Sequence, residues 1–301
     1  MSTQSQNSPS FHGVWIPLVT PFHDGAPDLA ALRRLVRYYA GQRVAGLVAC
    51  GTTGEAAALE DDETLQVLDA MLEAAGGLPV MMGLSGGSQA GLLRRLRALQ
   101  DRPLAGILAS APAYVRPGQA GLAAHFRALA DASPFPLVLY DIPYRTGVQL
   151  ETATLLALAG HANIVAVKDC GGSLDKTLAL IAHGGLQVLA GEDLNGFGTV
   201  ALGGTGMISA AAHVRPDLFV AMVQALRAQR LEAARALCHA LAPVIRLLYA
   251  EPNPGPLKAL LARQGWLRDE LRPPMTRADA ALAARLDAAV AELDRRYSPA
   301  G

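Results

Sequence analysis

The sequence predicts an α/β protein of the (β/α)8 barrel class carrying a helical appendage at its C-terminal end. Three observations carry that prediction. Short apolar runs recur eight times between residues 13 and 209, and helical periodicity fills most of the intervals between them. Each repeat is on the order of 30 residues, the length of one βα unit. The runs are nearly continuous in Val, Ile and Leu, as strands buried on both faces of a parallel sheet must be. An open doubly wound sheet would carry Gly-x-Gly-x-x-Gly after its first strand, and residues 17–25 hold no such turn.

The first strand is expected over 13–20, stopped by Pro21, and the first helix over 28–39, with Leu29, Leu32, Leu35, Val36 and Tyr39 on one face. Strand 46–50 then leads to helix 61–75, strand 79–83 to helix 89–100, and strand 105–109 to helix 118–131. Strand 136–140 precedes helix 151–159, and strand 164–168 precedes helix 174–182. Runs at 186–190 and 207–209 complete the set of eight. Strand signals stop at Arg215, and amphipathic stretches at 217–228, 231–249, 256–264 and 277–296 predict helices. The expected division is a loose tail at 1–12, a barrel at 13–214 and a helical region at 215–301. No linker rich in Gly, Ser or charge separates the last two, so the helices should pack on the barrel.

Composition narrows the function. A chain of 301 residues that is 51% hydrophobic and 17% charged can bury a large core. Its 26 basic and 26 acidic residues cancel, which leaves no global field to attract nucleic acid or anionic lipid. A small-molecule ligand is the default expectation. The first ten residues lack the basic start and apolar run of a secretory signal, and no apolar run approaches the roughly 20 residues of a membrane span. Cys50, Cys170 and Cys238 are odd in number and scattered, which points to a reducing cytoplasm. The seven histidines show no paired ligand spacing, so no metal site is expected and the histidines read as surface or capping residues. Cys170 reads as an ordinary small core or loop residue.

Barrel active sites form where the strands end. Lys168 closes the uninterrupted apolar run from Ile164 to Val167. An ammonium against such a wall loses hydration, which favours the neutral, nucleophilic amine. A lysine snorkelling from a strand end would read the same. Gly51-Thr52-Thr53-Gly54-Glu55 follows the second strand, and its amides suit either an anion nest or a tight helix-capping turn. The fifth strand ends at Tyr140, with Arg145 following in a turn shaped by Pro143 and Gly147. Tyrosine and arginine each have bland readings alone. Next to Lys168 on the adjacent strand, they compose a phenol, an amine and a carboxylate clamp around one pocket, a set suited to carbonyl chemistry.

Four ordered motifs carry a resemblance: Gly-Thr-Thr-Gly-Glu at 51–55, Tyr-Asp-Ile-Pro-Tyr-Arg-Thr-Gly at 140–147, Val-Lys-Asp at 167–169 and Gly-Gly-Thr-Gly-Met-Ile-Ser at 203–209. In sequence and spacing the chain resembles the dihydrodipicolinate synthase and N-acetylneuraminate lyase family of class I aldolases, from about Gly13 into the C-terminal helices. The resemblance implies that Lys168 forms an imine with pyruvate and that Tyr140 relays protons through Thr52. Thr52 and Thr53, with the backbone near Gly51 and Ile208, would hold the pyruvate carboxylate. Tyr114 would complete the relay of a neighbouring subunit, which implies a homo-oligomer, expected as a tetramer. Arg145 matches the arginine for the carboxylate of aspartate semialdehyde, which favours the synthase branch, as does the 251–258 turn. No metal or organic cofactor is implied.

This chain departs from the family pattern in places. Ala113 replaces the second aromatic of the tyrosine pair. Positions lining the feedback lysine pocket of regulated members carry Ala56, Asp61, Thr64 and Gly87, so inhibition by lysine is expected to be weak or absent. Asp141, Tyr144 and Asp169 are unusual at their places and bear on the second substrate. Two other readings stay open: the same imine chemistry on a sugar acid or 2-keto-3-deoxy acid, and a keto-acid-binding barrel without turnover.

Overall fold

A computed structural model describes residues 10–298. Eight parallel strands close on themselves as a TIM barrel. They are β1 (Gly13–Pro17), β2 (Gly46–Ala49), β3 (Val80–Leu84), β4 (Gly106–Ser110), β5 (Leu137–Asp141), β6 (Ile164–Asp169), β7 (Gln187–Ala190) and β8 (Gly206–Ile208). Each pairs with its neighbour in sequence, and β8 returns to β1 through Gly13↔Gly206 and Trp15↔Ile208.

Alternation along the strands separates two apolar layers. Val48, Met81, Leu108, Val138, Ala166 and Leu189 face inward and fill the barrel. Leu47, Val80, Ile107, Leu137, Val167 and Val188 face outward into the helix layer. The helices begin where side chains can cap them: Asp28, Ser88, Ser173 and Asp279 each accept a backbone N–H from the first turn that follows. Asp28, expected as the first helical residue, is the cap, and the helix is Leu29–Ala40.

Helix Pro216–Arg227 packs on β1, and Leu231–Leu248, Gly255–Arg263 and Ala280–Arg296 follow it. Three features escaped the periodicity. A ribbon pairs Phe22–His23 with Ala26–Pro27, and short helices occupy Pro143–Thr146 and Gly196–Ala201. They are too short to display a period, and the last is interrupted by glycine.

The expected tail at 1–12 lies outside the described residues up to residue 9, but its end is not loose. Phe11 is buried, its N–H bonds Gln187 Oε1 at 2.6 Å, and its ring lies 5.6 Å from that of Trp15. The two aromatics floor the barrel beneath the inward column. The histidine expectation also needs correcting, because His125 and His213 are buried. His213 accepts the Val19 N–H on Nε2 and bonds the Ala210 carbonyl through Nδ1, so it serves as a neutral core connector.

Candidate active site

An irregularity in one strand pair aims the lysine. Leu137 pairs with Ile164 but Val138 pairs with Ala166, so Val165 is an extra residue in β6. One inserted residue inverts the in–out alternation beyond it. Strict alternation counted from the outward-facing Ile164 would turn Lys168 towards the helices. Because Val165 is taken up in the bulge, Lys168 sits inside the barrel opposite its register partner Tyr140.

Lys168 Nζ lies 4.2 Å from the centre of the Tyr140 ring, and the two residues are 6% and 7% exposed. Lys176 and Lys258 are also buried, and both are held by carboxylates; Lys168 forms no ion pair among the described residues. Burial pushes the Tyr140 phenol well above the usual tyrosine value, and a hydrogen bond with Thr52 only partly offsets this. The phenol therefore keeps its proton at neutral pH. Cys170 is buried next in this layer, and burial likewise holds its thiol protonated.

The 51–55 loop is pinned from three sides. Thr20 Oγ1 donates to the Gly54 carbonyl at 2.7 Å. The end of β3 comes so close that a Cβ on Gly83 would stand 2.3 Å from the Cys50 carbonyl oxygen, which leaves room for glycine alone. Glu55 pairs with the fully buried Lys258 and accepts the Arg272 N–H at 3.1 Å. Asn253 Nδ2 donates to Thr53 Oγ1 at 3.0 Å. The C-terminal region thus fixes the loop, a role that residues in its Pro-rich turn do not advertise in sequence.

A cavity of about 360 Å³ opens above Tyr140. Gly51, Thr52, Tyr140 and Arg145 are in its wall, together with Ser110 and Asn253, two polar residues that pattern reasoning missed. Lys168, Thr53 and Ile208 are outside that wall: Lys168 lies across the Tyr140 ring, Thr53 turns to Asn253, and Ile208 belongs to the inward column. Arg145 is exposed on the short helix Pro143–Thr146, its Cζ 5.6 Å from the Tyr144 ring, and it is paired with no carboxylate among the described residues. Tyr114 does not reach this cavity within its own chain. It is 95% exposed and held at φ 72°, so its ring stands clear of the surface.

The unusual residues divide. Asp141 and Asp169 lie outside the cavity wall, one position past Tyr140 and Lys168, and both bind Lys176 on the other side of the strands. They cannot contact a substrate there, which corrects the expectation that they bear on its choice. Tyr144 is also outside that wall, 63% exposed on the short helix beside Arg145. A second hollow of about 430 Å³ is lined by Ala56, Asp61, Thr64, Arg94 and Arg95, with Gly87 outside its wall. Asp61 is already occupied, accepting from Arg95 Nε at 2.7 Å.

Comparison with known proteins agrees with this geometry. The sequence profile of the dihydrodipicolinate synthetase family matches residues 10–293. The chain is 38% identical over 285 residues to the 4-hydroxy-tetrahydrodipicolinate synthase of Trichlorobacter lovleyi, covering 94% of this chain and 98% of that protein. It is 40% identical over 286 residues to the enzyme of the same name from Hyphomonas neptunium, covering 93% and 98%. The fold superposes with a TM-score of 0.91 and 31% identity on dihydrodipicolinate synthase from Acinetobacter baumannii, solved in complex with pyruvate, covering 94% of this chain and 99% of that one. The barrel, its ordered strand-end motifs and these full-length likenesses make the chain a member of the dihydrodipicolinate synthetase family.

Proposed function

We propose that this protein is a Schiff-base lyase that condenses pyruvate with L-aspartate 4-semialdehyde, forming 4-hydroxy-tetrahydrodipicolinate. The observation that carries the reading is a buried lysine without a carboxylate partner, set against a buried phenol inside a barrel mouth. Lys168 attacks the keto carbon of pyruvate, and loss of water leaves the imine. A methyl proton then departs to give an enamine, with charge delocalised into the iminium. The enamine carbon adds to the aldehyde. The amino group of the semialdehyde then attacks the former keto carbon and frees Lys168.

Tyr140 supplies and accepts protons through Thr52, consistent with their hydrogen bond. The amides around Gly51, the hydroxyls of Thr52 and Thr53, and the backbone near Ile208 hold the pyruvate carboxylate. Arg145 takes the carboxylate of the semialdehyde, for which its unpaired guanidinium at the cavity rim is suited. Tyr114 serves the relay of a neighbouring subunit in a homotetramer; a tyrosine so fully exposed has no work inside its own chain. The imine on Lys168 makes a metal or organic cofactor unnecessary. Three free cysteines suit a cytoplasmic setting.

Borohydride reduction in the presence of pyruvate, followed by mass measurement, tests the imine. A stable pyruvate adduct on Lys168 supports the lyase, and its absence supports a binder. Assay of the trapped-competent enzyme with a panel of aldehydes tests the second substrate: preference for a sugar aldehyde over aspartate semialdehyde would overturn that part.

A further inference from the structure

Behind the reacting pair lies a second, wholly structural lysine. Lys176, in the first turn of helix Leu174–His183, is buried, and its Nζ donates to Asp141 Oδ2 at 2.5 Å and stands 2.8 Å from Asp169 Oδ1. Asp141 and Asp169 are register partners across β5 and β6, as are Tyr140 and Lys168 one residue earlier. Both carboxylates are fixed further: Asp141 Oδ1 accepts the Leu150 N–H at 3.0 Å, and Asp169 accepts from the Gly171 N–H at 2.8 Å and from Thr177 Oγ1 at 3.0 Å. The chain leaves space for the ammonium, since a Cβ on Gly171 would lie 2.1 Å from Lys176 Nζ and 2.9 Å from Asp141 Oδ2.

We propose that Lys176 is a positioning residue that clamps the ends of β5 and β6 through Asp141 and Asp169, holding the Tyr140 phenol against the Lys168 amine. This rests on the imine reading above and adds a residue to it that never touches substrate. Strand ends carrying two buried carboxylates repel unless a cation lies between them. The bulge at Val165 makes this strand pair irregular at its start, and the clamp closes the other end, where Tyr140 and Lys168 sit. The pyruvate carboxylate is assigned to the 51–53 loop, to which Lys176, Asp141 and Asp169 make no hydrogen bond or ion pair among the described residues. The clamp therefore acts on the rate of chemistry and leaves the seat of the carboxylate alone.

The test compares four proteins: the unaltered chain, Lys176→Met, Gly171→Ala and the triple variant Asp141→Asn/Asp169→Asn/Lys176→Met. Working sites are counted by borohydride-trapped pyruvate at completion, so that misfolded chains drop out. Per trapped site, Lys176→Met should lower kcat by about 10- to 100-fold, as expected for a misplaced reacting group, with the pyruvate KM within about two-fold. Gly171→Ala keeps every charge but displaces the ammonium, and it should lower kcat in the same sense; it serves if Lys176→Met does not fold. The triple variant removes the repulsion while asparagine oxygens still accept from Leu150 and Gly171, and it should recover most of the loss. Unchanged kcat per site in the folded single variants, a change confined to KM, or a triple variant no better than Lys176→Met would overturn the clamp. An unaltered chain that forms no adduct would overturn the imine reading and this inference with it, whereas a normal adduct with unaffected variants would overturn the clamp alone.

Discussion

The two faces of the β5–β6 strand ends place lysines in opposite circumstances. On the inner face Lys168 meets an aromatic ring and no carboxylate, and on the outer face Lys176 meets two. Burial pulls the Lys176 ammonium down, yet the two aspartates outweigh it and hold its pKa above the ordinary lysine value. It is a fixed charge with no nucleophilic use. Burial leaves the Asp141 carboxyl raised despite the Lys176 contact. Burial alone thus does not distinguish the two lysines: what differs is the direct carboxylate contact, and the aspartates that supply it sit one step along each strand from Tyr140 and Lys168.

The sharpest way to break this contrast is Lys168→Ala, which should abolish the borohydride-trapped adduct and lower turnover by on the order of 10⁴-fold or more, while the circular dichroism spectrum stays native. Removing only the phenol with Tyr140→Phe should leave adduct formation slow but detectable, with kcat down by about 10²- to 10³-fold. On the countercharged side the effect moves from rate to stability. Lys258→Met strands the buried Glu55 carboxylate and should cost about 3–5 kcal/mol in denaturant unfolding.

A smaller effect comes from His213, which the core keeps neutral by burial, pulling its pKa from 6.5 down to about 4. Its folded pKa is depressed below the unfolded one, so its contribution is complete above about pH 6.5 and is lost as pH falls towards 4. The loss should be roughly 3 kcal/mol, read as a slope in stability against pH that His213→Gln flattens. The smallest expected effect is that of free lysine on the rate. The hollow beside the site presents two arginines and an aspartate already engaged by one of them, so added lysine should leave the initial rate unchanged.

Much of this was legible in the chain itself. Continuous apolar runs fixed the eight strands because parallel strands buried on both faces admit nothing else, and helical spacing placed the helices between them. Tyr140 and Arg145 could be collected at one strand end because loops at that end of a barrel converge. The direction in which Lys168 points was not legible: strict alternation would send it outward, and only the pairing of β5 with β6 reveals the extra residue at Val165. The burial of Lys176 was not legible either, since its partners lie 35 and 7 residues away in sequence and nothing local marks them. Asn253 was similarly hidden, because its contact with Thr53 spans 200 residues.

The aromatic floor made by Phe11 and Trp15 lies under a column of inward side chains that already fills the barrel, so the interior is shut at that end. The cavity above Tyr140 opens at the other end, between Arg145 and the turn at Asn253 and Pro254. Both substrates of the proposed reaction would share that doorway, and the opposite end of the barrel, a dozen residues into the chain, is left to serve as foundation.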